Sequence, residues 1–317
     1  MASDVYISVD LGASRVRAGR FSTDLEMLAR TEAPSLADKG RDIVLANIFE
    51  QVDKVWPTDG SKVIGIGVCA PGPLNPETGM VVNLTNFVGW RDVPLRELFV
   101  KKYGIETFLG NDGNVAALAE AALGAGKGHS DVVFLTISTG VGGGVISAGK
   151  MLVGADGMGA ECGHMIMLTE AEHVSTLEKE TAGPGLARQA RQAIQAGEKS
   201  SILELAGGAL DAINAKHVSQ AAKNGDALGL RIMTRAGKIL GLGILSLLHI
   251  FNPQIVVLGG AVMEGSWDLM YGPMMEAIKE FALQPDYWNH LQIVPAALGE
   301  NVSLIGSAVL ALRKGAQ

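Results

Sequence analysis

An α/β fold made of two related lobes is predicted by three features of this 317-residue chain. Short apolar runs that end in glycine-rich turns alternate with segments of helical apolar spacing. Two hairpin patterns, with turns at Gly12 and Gly140, are built alike and lie about 130 residues apart. The 48% apolar content and 41 glycines allow a sizeable core and many tight turns. We therefore expect an internally repeated structure with two lobes facing one central cleft.

Composition and charge exclude several classes of protein. The net charge of −7, from 26 basic and 33 acidic residues, and the 5% aromatic content do not suit a nucleic-acid or anionic lipid surface. Cys69 and Cys162 form no CxxC pair, as expected for a reducing compartment. No secretory signal pattern is present at the N-terminus. We expect a cytoplasmic protein without a nucleic-acid or membrane partner.

The first part of the chain is predicted to begin with a hairpin and to continue as alternating strands and helices. Apolar periodicity predicts strands at 5–10, 15–21 and 62–69 and a strand ending at Asn111. It predicts helices at 37–55 and 94–103 and another directly after Asp112, with a loop at 81–90. The pattern in this part is typical of a sheet whose parallel strands are joined by helices.

The second part begins with the other hairpin and becomes mainly helical. The predicted strands are 132–137, 141–146, 255–258 and 291–294, and the predicted helices are 186–196, 218–223, 227–249, 267–281 and 304–312. The longest apolar run, 239–251, is too short to span a bilayer and predicts a buried helix. We place one lobe at 1–115, together with a C-terminal helix at about 303–317, and the other at 116–302.

The segment Gly110-Asn111-Asp112-Gly113 is the most informative stretch, because a strand there hands over directly to a helix. A carboxylate at that junction lies at the carboxyl edge of a sheet, where open α/β sheets bind their ligands. Its ordinary pKa of about 4 keeps it ionised at neutral pH and able to accept a proton from a hydroxyl. The structural alternative is that Asp112 only caps the helix.

Three glycine-rich turns follow buried strands and are candidates for phosphate binding. Glycine lets backbone N–H groups approach phosphate oxygens, since no Cβ intervenes. Asp10 at the end of the first strand is suited to hold Mg²⁺ through water. Each turn alone is more often just a turn, but three together favour a nucleotide site. The candidate nucleotide residues are Asp10, Gly12, Ser14, Arg15, Thr139, Gly140, Gly142, Gly259 and Gly260.

A second group of polar residues suits a polyhydroxylated ligand. Glu161 and His164 are separated by Cys162 and Gly163, and Glu178 follows further on. These donors and acceptors match a sugar ring, which needs several hydrogen-bonding partners. Zinc is the alternative, from Glu161, Cys162, His164 and His173, but the irregular spacing and the absence of a cysteine pair argue against it. A structural Glu–His pair remains a further alternative.

Taken together, the motifs resemble the ROK family, which groups sugar kinases and sugar-responsive repressors. The resemblance covers nearly the whole chain and rests on motifs in the family's order: Asp10-Leu-Gly12, Ala70-Pro-Gly72-Pro, Asn86-x-x-Gly89-Trp90, Gly110-Asn-Asp112-x-Asn114-x-x-Ala-x-Ala-Glu120, Ser138-Thr-Gly-x-Gly-Gly-Gly144, Glu161-x-Gly-His164 and Leu177-Glu178. It implies a two-lobed, duplicated ribonuclease H-like fold of the actin/hexokinase type. It also implies ATP and Mg²⁺ as cofactors.

The resemblance implies a role for each candidate residue. Asp112 is expected to be the general base. The residues expected at the sugar are Gly72, Asn86, Asn111, Asp112, Glu161, His164 and Glu178. The nine candidate nucleotide residues are expected to surround ATP and Mg²⁺, with Arg15 adding positive charge. A homodimer is also expected.

Two departures from the family pattern qualify these expectations. Many members carry a zinc loop, Cys-x-Cys-Gly-x-x-Gly-Cys, between the His and the later Glu, whereas residues 165–177 contain no cysteine. We therefore expect no zinc site, with His164 acting on the sugar only and the segment held by packing. The first turn reads Gly-Ala-Ser where the family usually has Gly-Gly-Thr, so Ser14 keeps the hydroxyl.

The predicted function is an ATP-dependent hexose kinase, with glucose at O6 as the leading substrate because Asn86-x-x-Gly89-Trp90 resembles glucokinase members. N-acetylmannosamine, N-acetylglucosamine and fructose are the alternative substrates. A sugar-responsive repressor lacking its DNA-binding domain is an alternative of another class. Two observations argue against it: the first strand begins at Val5, which leaves no room for a DNA-reading domain before it, and the net charge does not suit DNA. A non-catalytic sugar-binding protein is the remaining alternative.

Overall fold

The computed structural model describes residues 3–170 and 173–315, with the side chains of residues 168–170 and 173 left out. The strands are β1 (Asp4–Leu11), β2 (Arg15–Ser22), β3 (Met27–Pro34), β4 (Lys62–Ala70), β5 (Leu74–Asn75), β6 (Met80–Asn83), β7 (Arg91–Val93), β8 (Thr107–Asn111), β9 (Val132–Ile137), β10 (Val141–Ser147), β11 (Lys150–Met151), β12 (Ile166–Glu170), β13 (His173–Thr176), β14 (Ile255–Gly259) and β15 (Gln292–Pro295).

The helices follow in chain order. They are α1 (Arg41–Val55), α2 (Leu95–Tyr103), α3 (Asp112–Leu123), α4 (Leu177–Thr181), α5 (Gly183–Gln195), α6 (Ile202–Leu205), α7 (Ala215–Lys223), α8 (Ala227–Phe251), α9 (Ala261–Phe281) and α10 (Val302–Leu312), with short 3₁₀ turns between some of them.

Two five-stranded sheets repeat one topology. Their orders are β3-β2-β1-β4-β8 and β11-β10-β9-β14-β15. Counted along the chain, the first strand of each sheet therefore lies between the second and the fourth strand of that sheet. In the first sheet β1 pairs with β2 antiparallel and with β4 parallel. In the second sheet β9 pairs with β14 parallel, and β14 with β15 parallel. The duplicated α/β fold expected from the two hairpins is therefore confirmed.

The chain divides into two compact units whose boundaries differ from the lobes proposed above. The first unit comprises Met1–Ser130, Gly144–Ala160 and Ala297–Gln317, and the second comprises Asp131–Gly143 and Glu161–Ala296. Residues 116–130 and 144–160 thus group with the N-terminal residues, because α3 packs along α10. A Cβ at Gly306 of α10 would lie 2.0 Å from the carbonyl oxygen of Val115 in α3, so the two helix backbones are in close contact.

The second unit has a helical core. A Cβ at Gly241 of α8 would lie 2.4 Å from the carbonyl oxygen of Met274 in α9, so these helices also pack backbone to backbone. Among the described residues, α8 is the one helix long and apolar enough to cross a membrane, and 56% of its most apolar window is buried inside the protein. The prediction of a buried helix in this region is confirmed.

Several predicted elements have different boundaries in the structure. The helix expected at 37–55 is interrupted at Gly40, whose φ of 94° ends a 3₁₀ turn before α1 begins. The segment 81–90, expected as a loop, includes most of β6, which pairs with β5 and β7. The helix expected at 267–281 is present as the longer part of α9; a kink at Ser266, whose φ is −140°, separates it from a short helical segment that begins at Ala261, directly after the Gly259–Gly260 turn. Strand β3 and the β12–β13 hairpin were not predicted; they carry little apolar alternation.

Candidate functional site

The carboxyl ends of three parallel strands meet at one edge of the first sheet. Asp10 of β1 lies beside Cys69 of β4, and Cys69 lies beside Gly110 of β8. Asn111 ends β8, and α3 begins at Asp112. This register brings Asp10 and Asp112, predicted separately from the sequence, to the same edge. Carboxylates at such an edge are placed for ligand binding.

Asn111, rather than Asp112, caps helix α3. Its Oδ1 accepts a hydrogen bond from the Asn114 N–H at 2.8 Å, which satisfies one of the free donors in the first turn. The Asp112 carboxylate accepts the N–H of the adjacent Gly113 at 2.9 Å, and the residue is exposed to solvent. The cap therefore does not account for Asp112, whose carboxylate remains accessible to a ligand.

The pKa of Asp112 is raised above its ordinary value. Desolvation by the surrounding protein is the main cause, and the negative charge of Asp10 adds to it, while the Gly113 N–H acts in the opposite direction. The pKa of the buried Cys69 thiol is raised well above its ordinary value by desolvation and by the charges of Asp10 and Asp112. Asp112 is thus more basic than a free aspartate, and Cys69 stays a neutral thiol between two carboxylates.

Arg17 holds Asp10 in place. Its Nε and Nη2 lie 2.8 Å and 2.6 Å from the same carboxylate oxygen, Oδ2, and both side chains are largely buried. Arg17 therefore occupies Oδ2, and the buried Cys69 thiol is also hydrogen-bonded to the Asp10 side chain. A carboxylate partly neutralised by Arg17 fits water-mediated Mg²⁺ binding, since Mg²⁺ keeps several of its waters.

The other candidates in the first turn have different environments. The Gly12 N–H donates to the Arg15 carbonyl oxygen at 2.9 Å, closing the β1–β2 turn. Ser14 is exposed, and its carbonyl oxygen accepts the Ser35 N–H at 3.0 Å. The Arg15 guanidinium, expected to add positive charge for phosphate, instead lies 2.9 Å from the Glu32 carboxylate. That exposed ion pair raises the pKa of Arg15 and offsets its charge.

Gly72 and Asn86 are both exposed in loops of the first unit. Gly72 follows β4, and an ideal Cβ there would meet no atom within 4 Å, so the segment leaves open space. Asn86 lies in a turn that is closed by the Leu84 N–H donating to Trp90 O at 2.9 Å. Trp90 is buried beneath this turn, with its ring centroid 5.6 Å from that of Phe87.

The turn at 138–140 in the second unit is tied to two neighbouring segments. The Val141 N–H donates to Oε2 of Glu178 at 3.0 Å, and the Gly183 N–H donates to Ser138 O at 2.8 Å. A Cβ at Gly140 would lie 2.6 Å from Glu178 Oε2. Glu178, Gly140 and the start of α5 are therefore brought together, while Thr139 at the tip is exposed.

Glu161 precedes a 3₁₀ turn, Cys162–His164, that ends in His164 and packs against the start of β10. A Cβ at Gly163 would lie 2.0 Å from Val141 O, so only glycine allows this close approach. Glu161 and His164 are both exposed, whereas Cys162 between them is buried. Burial, with the charge of Glu161 adding to it, raises the pKa of Cys162 to about 11. The turn presents its Glu and His outward and keeps its thiol neutral.

A pocket of about 780 Å³ lies next to the 138–140 turn. Its lining includes Thr139, Gly183, Arg191, Lys216 and Ser266. The described residues that line it include three cationic side chains, with Lys223 as the third, and no carboxylate. The volume lies within the usual range for sites that bind small molecules and cofactors. Its size and charge suit a nucleotide.

Gly259 and Gly260 lie where β14 passes into α9, whose first residues, Ala261 and Val262, also line the pocket. Gly260 has a φ of 90°, and a Cβ there would lie 2.5 Å from Ile137 O. Both the backbone conformation and the lack of space therefore require glycine. Gly142 lies in β10, where a Cβ would be 3.2 Å from Thr136 Cγ2. These glycines shape the backbone around β9 and its turn.

No group of three or more possible metal ligands among His, Cys, Asp and Glu occurs in the part of the chain that the structure describes. His173, part of the zinc alternative, begins β13, but its side chain lies outside the described residues. Strands β12 and β13 pair antiparallel within the 165–177 segment, where the resemblance would have placed a cysteine-rich zinc loop.

Sequence reasoning missed Arg17 and the wall of the pocket. Arg17 had a usable signal, because a tight β1–β2 hairpin places it directly across from Asp10. The pocket wall had none, because Gly183 and Arg191 of α5 and Lys216 of α7 carry no motif. Only the folded second unit brings them beside Thr139.

Comparisons with known proteins agree with the motifs and the topology. The ROK family model matches residues 6–314. A glucokinase of Thermotoga maritima (strain ATCC 43589 / DSM 3109 / JCM 10099 / NBRC 100826 / MSB8) is 33% identical over 307 residues, covering 95% of this chain and 95% of that protein. The xylose repressor of Bacillus subtilis (strain 168) is 27% identical over 273 residues, covering 86% of this chain and 67% of the repressor.

Solved structures show the same fold. A ROK hexokinase from Thermus thermophilus has a TM-score of 0.83 and 29% identity, with 98% of each chain covered. A ROK family glucokinase from Streptomyces griseus, in complex with glucose and AMPPNP, has a TM-score of 0.77 and 28% identity, covering 98% of this chain and all of that one. The expected fold is confirmed. The chain therefore belongs to the ROK family and has the actin/hexokinase-like ATPase fold of that family's sugar kinases.

Proposed function

We propose that this protein transfers the γ-phosphoryl group of ATP to O6 of glucose, with Asp112 as the general base. The assignment to the sugar kinases rests on full-length similarity to a glucokinase and to a ROK hexokinase. The observation that carries the mechanism is the placement of Asp112, an exposed residue at the same sheet edge as Asp10, with a raised pKa. A carboxylate more basic than usual accepts a hydroxyl proton more readily.

In this mechanism Asp112 removes the proton from the sugar hydroxyl as its oxygen attacks the γ-phosphorus. The new O–P bond forms, the bond to the β–γ bridging oxygen breaks, and ADP leaves with that electron pair. Transfers of this kind depend on positioning and charge stabilisation more than on covalent work by the protein. Asp10, oriented by Arg17, would hold Mg²⁺ through water, and the ion would neutralise charge on the phosphates.

The remaining candidates supply binding. Asn86, Asn111, Glu161, His164 and Glu178 are assigned to the sugar hydroxyls. Gly72 is assigned to the lining of the sugar site. Asn111 uses its Oδ1 to cap α3, so its Nδ2 donor is the group assigned to the sugar. The nucleotide is assigned to the pocket beside Thr139, with Gly140, Gly259 and Gly260 shaping the backbone around it.

An ADP-release assay over a panel of sugars tests this function. The panel contains glucose, fructose, mannose, N-acetylglucosamine and N-acetylmannosamine, each with MgATP. We expect the highest kcat/KM with glucose, and the product should be phosphorylated at O6 by NMR. A preference for an N-acetylated sugar would overturn the assignment of glucose as the substrate but would leave the assignment as a sugar kinase intact. No sugar-dependent ADP release with any of them would overturn the proposal.

A sugar-responsive repressor is the second candidate, because most of this chain matches the xylose repressor of B. subtilis. The same panel separates the two candidates. A repressor would bind its sugar in calorimetry without sugar-dependent ADP release. The homodimer and the cytoplasmic location remain parts of the proposal, and sedimentation equilibrium tests the former.

A further inference from the structure

The carboxylate of Glu178 has two sides with different surroundings. Its Oε2 accepts the Val141 N–H at 3.0 Å and lies against Gly140. Among the described contacts, Oε1 has no hydrogen-bond partner within the protein. Oε1 is therefore the oxygen that can accept a hydrogen bond from a ligand, while Oε2 already supports the 138–140 turn.

Helix α4, which carries Glu178, is fixed to its surroundings. Oε2 of Glu180, two residues after Glu178 in α4, lies 2.6 Å from Nη1 of Arg235 in α8, and the Glu180 side chain is buried. Leu177 is fully buried against Gly243 of α8, where a Cβ would lie 2.9 Å from its Cδ2. These two contacts anchor α4 to α8, so we expect a displacement of the Glu178 carboxylate to arise mainly from its side-chain torsions.

The 138–140 turn also forms part of the pocket assigned to the nucleotide. Ser138 and Thr139 line that pocket, and Ser138 O accepts the N–H of Gly183, another lining residue. The turn therefore has the Glu178 carboxylate on one side and the pocket on the other. The hydrogen bond from the Val141 N–H therefore connects the Glu178 carboxylate to a turn whose residues Ser138 and Thr139 line the pocket.

We propose that Glu178 couples the two substrates: sugar bound at its Oε1 fixes the carboxylate that supports the 138–140 turn, so that sugar and nucleotide bind cooperatively. This inference rests on the proposed function, which assigns Glu178 to the sugar. Ordering the turn with the first ligand lowers the entropy that the second must lose. The coupling is reciprocal, so each ligand raises the affinity for the other by the same factor.

Gly140→Ala provides a selective probe. The added Cβ would lie 2.6 Å from Glu178 Oε2 and 3.4 Å from its Cδ, the far end of a flexible side chain, so the carboxylate moves aside while the backbone stays. Gly142→Ala is the matched comparison in the same hairpin, since its Cβ faces Thr136 and not Glu178. Glu178→Ala removes the support altogether, and Glu178→Gln keeps an oxygen that accepts the Val141 N–H.

The experiment is calorimetric titration of the enzyme with MgAMPPNP, with and without saturating glucose. For the unaltered protein we expect glucose to raise nucleotide affinity by about 5- to 150-fold, the usual range of coupling between sites. The factor should fall to about 1 in Glu178→Ala and Gly140→Ala, persist in Gly142→Ala, and be intermediate in Glu178→Gln. Circular dichroism melts confirm that each variant is folded.

Three outcomes would overturn the coupling. They are a factor of 1 in the unaltered protein, an unchanged factor in Glu178→Ala, or equal losses in Gly140→Ala and Gly142→Ala. The kinase assignment would survive each of them, because sugar-dependent ADP release is measured separately. Absence of both glucose binding and ADP release would instead overturn the proposed function, and this inference with it.

Discussion

Arg17 lies directly across from Asp10 in the β1–β2 hairpin, and two of its guanidinium nitrogens contact one oxygen of the Asp10 carboxylate. Its Nη1 donates in addition to Glu300 O at 2.5 Å. The pair therefore orients the carboxylate assigned to Mg²⁺ and connects it to the C-terminal segment of the same unit.

Removing Arg17 should destabilise the protein strongly. Arg17→Met leaves the buried Asp10 charge unpaired, and breaking such a pair costs about 3–5 kcal/mol. Urea unfolding measures this loss. The double variant Asp10→Asn/Arg17→Met should be less destabilised than Arg17→Met alone. Arg15→Met, which removes an exposed pair with Glu32, is the control and should have a much smaller effect. Equal effects of the two arginine variants would contradict the assigned role.

Replacing Asp112 should abolish most turnover and preserve the fold. Asp112→Asn removes the proton acceptor, so we expect kcat to fall by about 10²- to 10⁴-fold. Glucose affinity, measured by calorimetry, should change little. Asp24→Asn, at an exposed aspartate of the same unit, is the matched control. Near-normal kcat in Asp112→Asn would remove Asp112 from its proposed role.

The raised pKa of Asp112 predicts two pH effects. Turnover should be lost as pH falls through that raised pKa, so the acid limb of the kcat/KM profile should lie above the ordinary value of about 3.9. For a carboxyl group, a raised pKa also means that the folded state disfavours the charged form. Asp112 therefore destabilises the protein above the raised pKa, and the effect disappears as pH falls through it. Asp112→Asn should melt higher than the unaltered protein at neutral pH, by a margin that shrinks in acid.

Gly163→Ala tests the close approach of the 161–164 turn to β10. The new Cβ would meet the Val141 carbonyl oxygen, a backbone atom that cannot move aside. We expect a destabilisation of about 1–3 kcal/mol and a higher KM for glucose, because Glu161 and His164 are displaced. Gly265→Ala, where a Cβ meets nothing within 4 Å, is the control for stability. A normal KM with lowered stability would show that the turn is structural only.

Glu120 is a fully buried carboxylate whose partners are backbone N–H groups. Its Oε1 accepts from Ala297 and Leu298, both at 3.0 Å, and its Oε2 accepts from Ala125 at 2.8 Å. Glu120→Gln turns an amide donor towards one of these donors, so about 1–3 kcal/mol of stability should be lost for each N–H left unpaired. Glu97→Gln, on the exposed face of α2, should leave the urea midpoint unchanged, and a similar value for both variants would contradict this reading.

Local patterns in the sequence were sufficient for the strands and turns that build the candidate site. Glycine after an apolar run marks a strand end whatever follows, so Asp10, Asp112 and the three turns were found from spacing alone. The chain also carries its own duplication, visible as two similar hairpins and confirmed by two sheets of the same order. Strand β3 was not predicted because its residues alternate between exposed and partly buried positions and do not form an apolar stripe.

Tertiary structure decided which atoms of the polar side chains at the candidate site are already occupied by partners within the protein. Residue types do not reveal that Arg17 occupies one side of Asp10, that Val141 occupies one side of Glu178, or that Asn111 caps α3 in place of Asp112. The pocket beside Thr139 likewise exists only where separate helices pack. Hydrogen-bond periodicity is a local property of the chain, whereas the pairing of distant groups depends on how whole elements pack together.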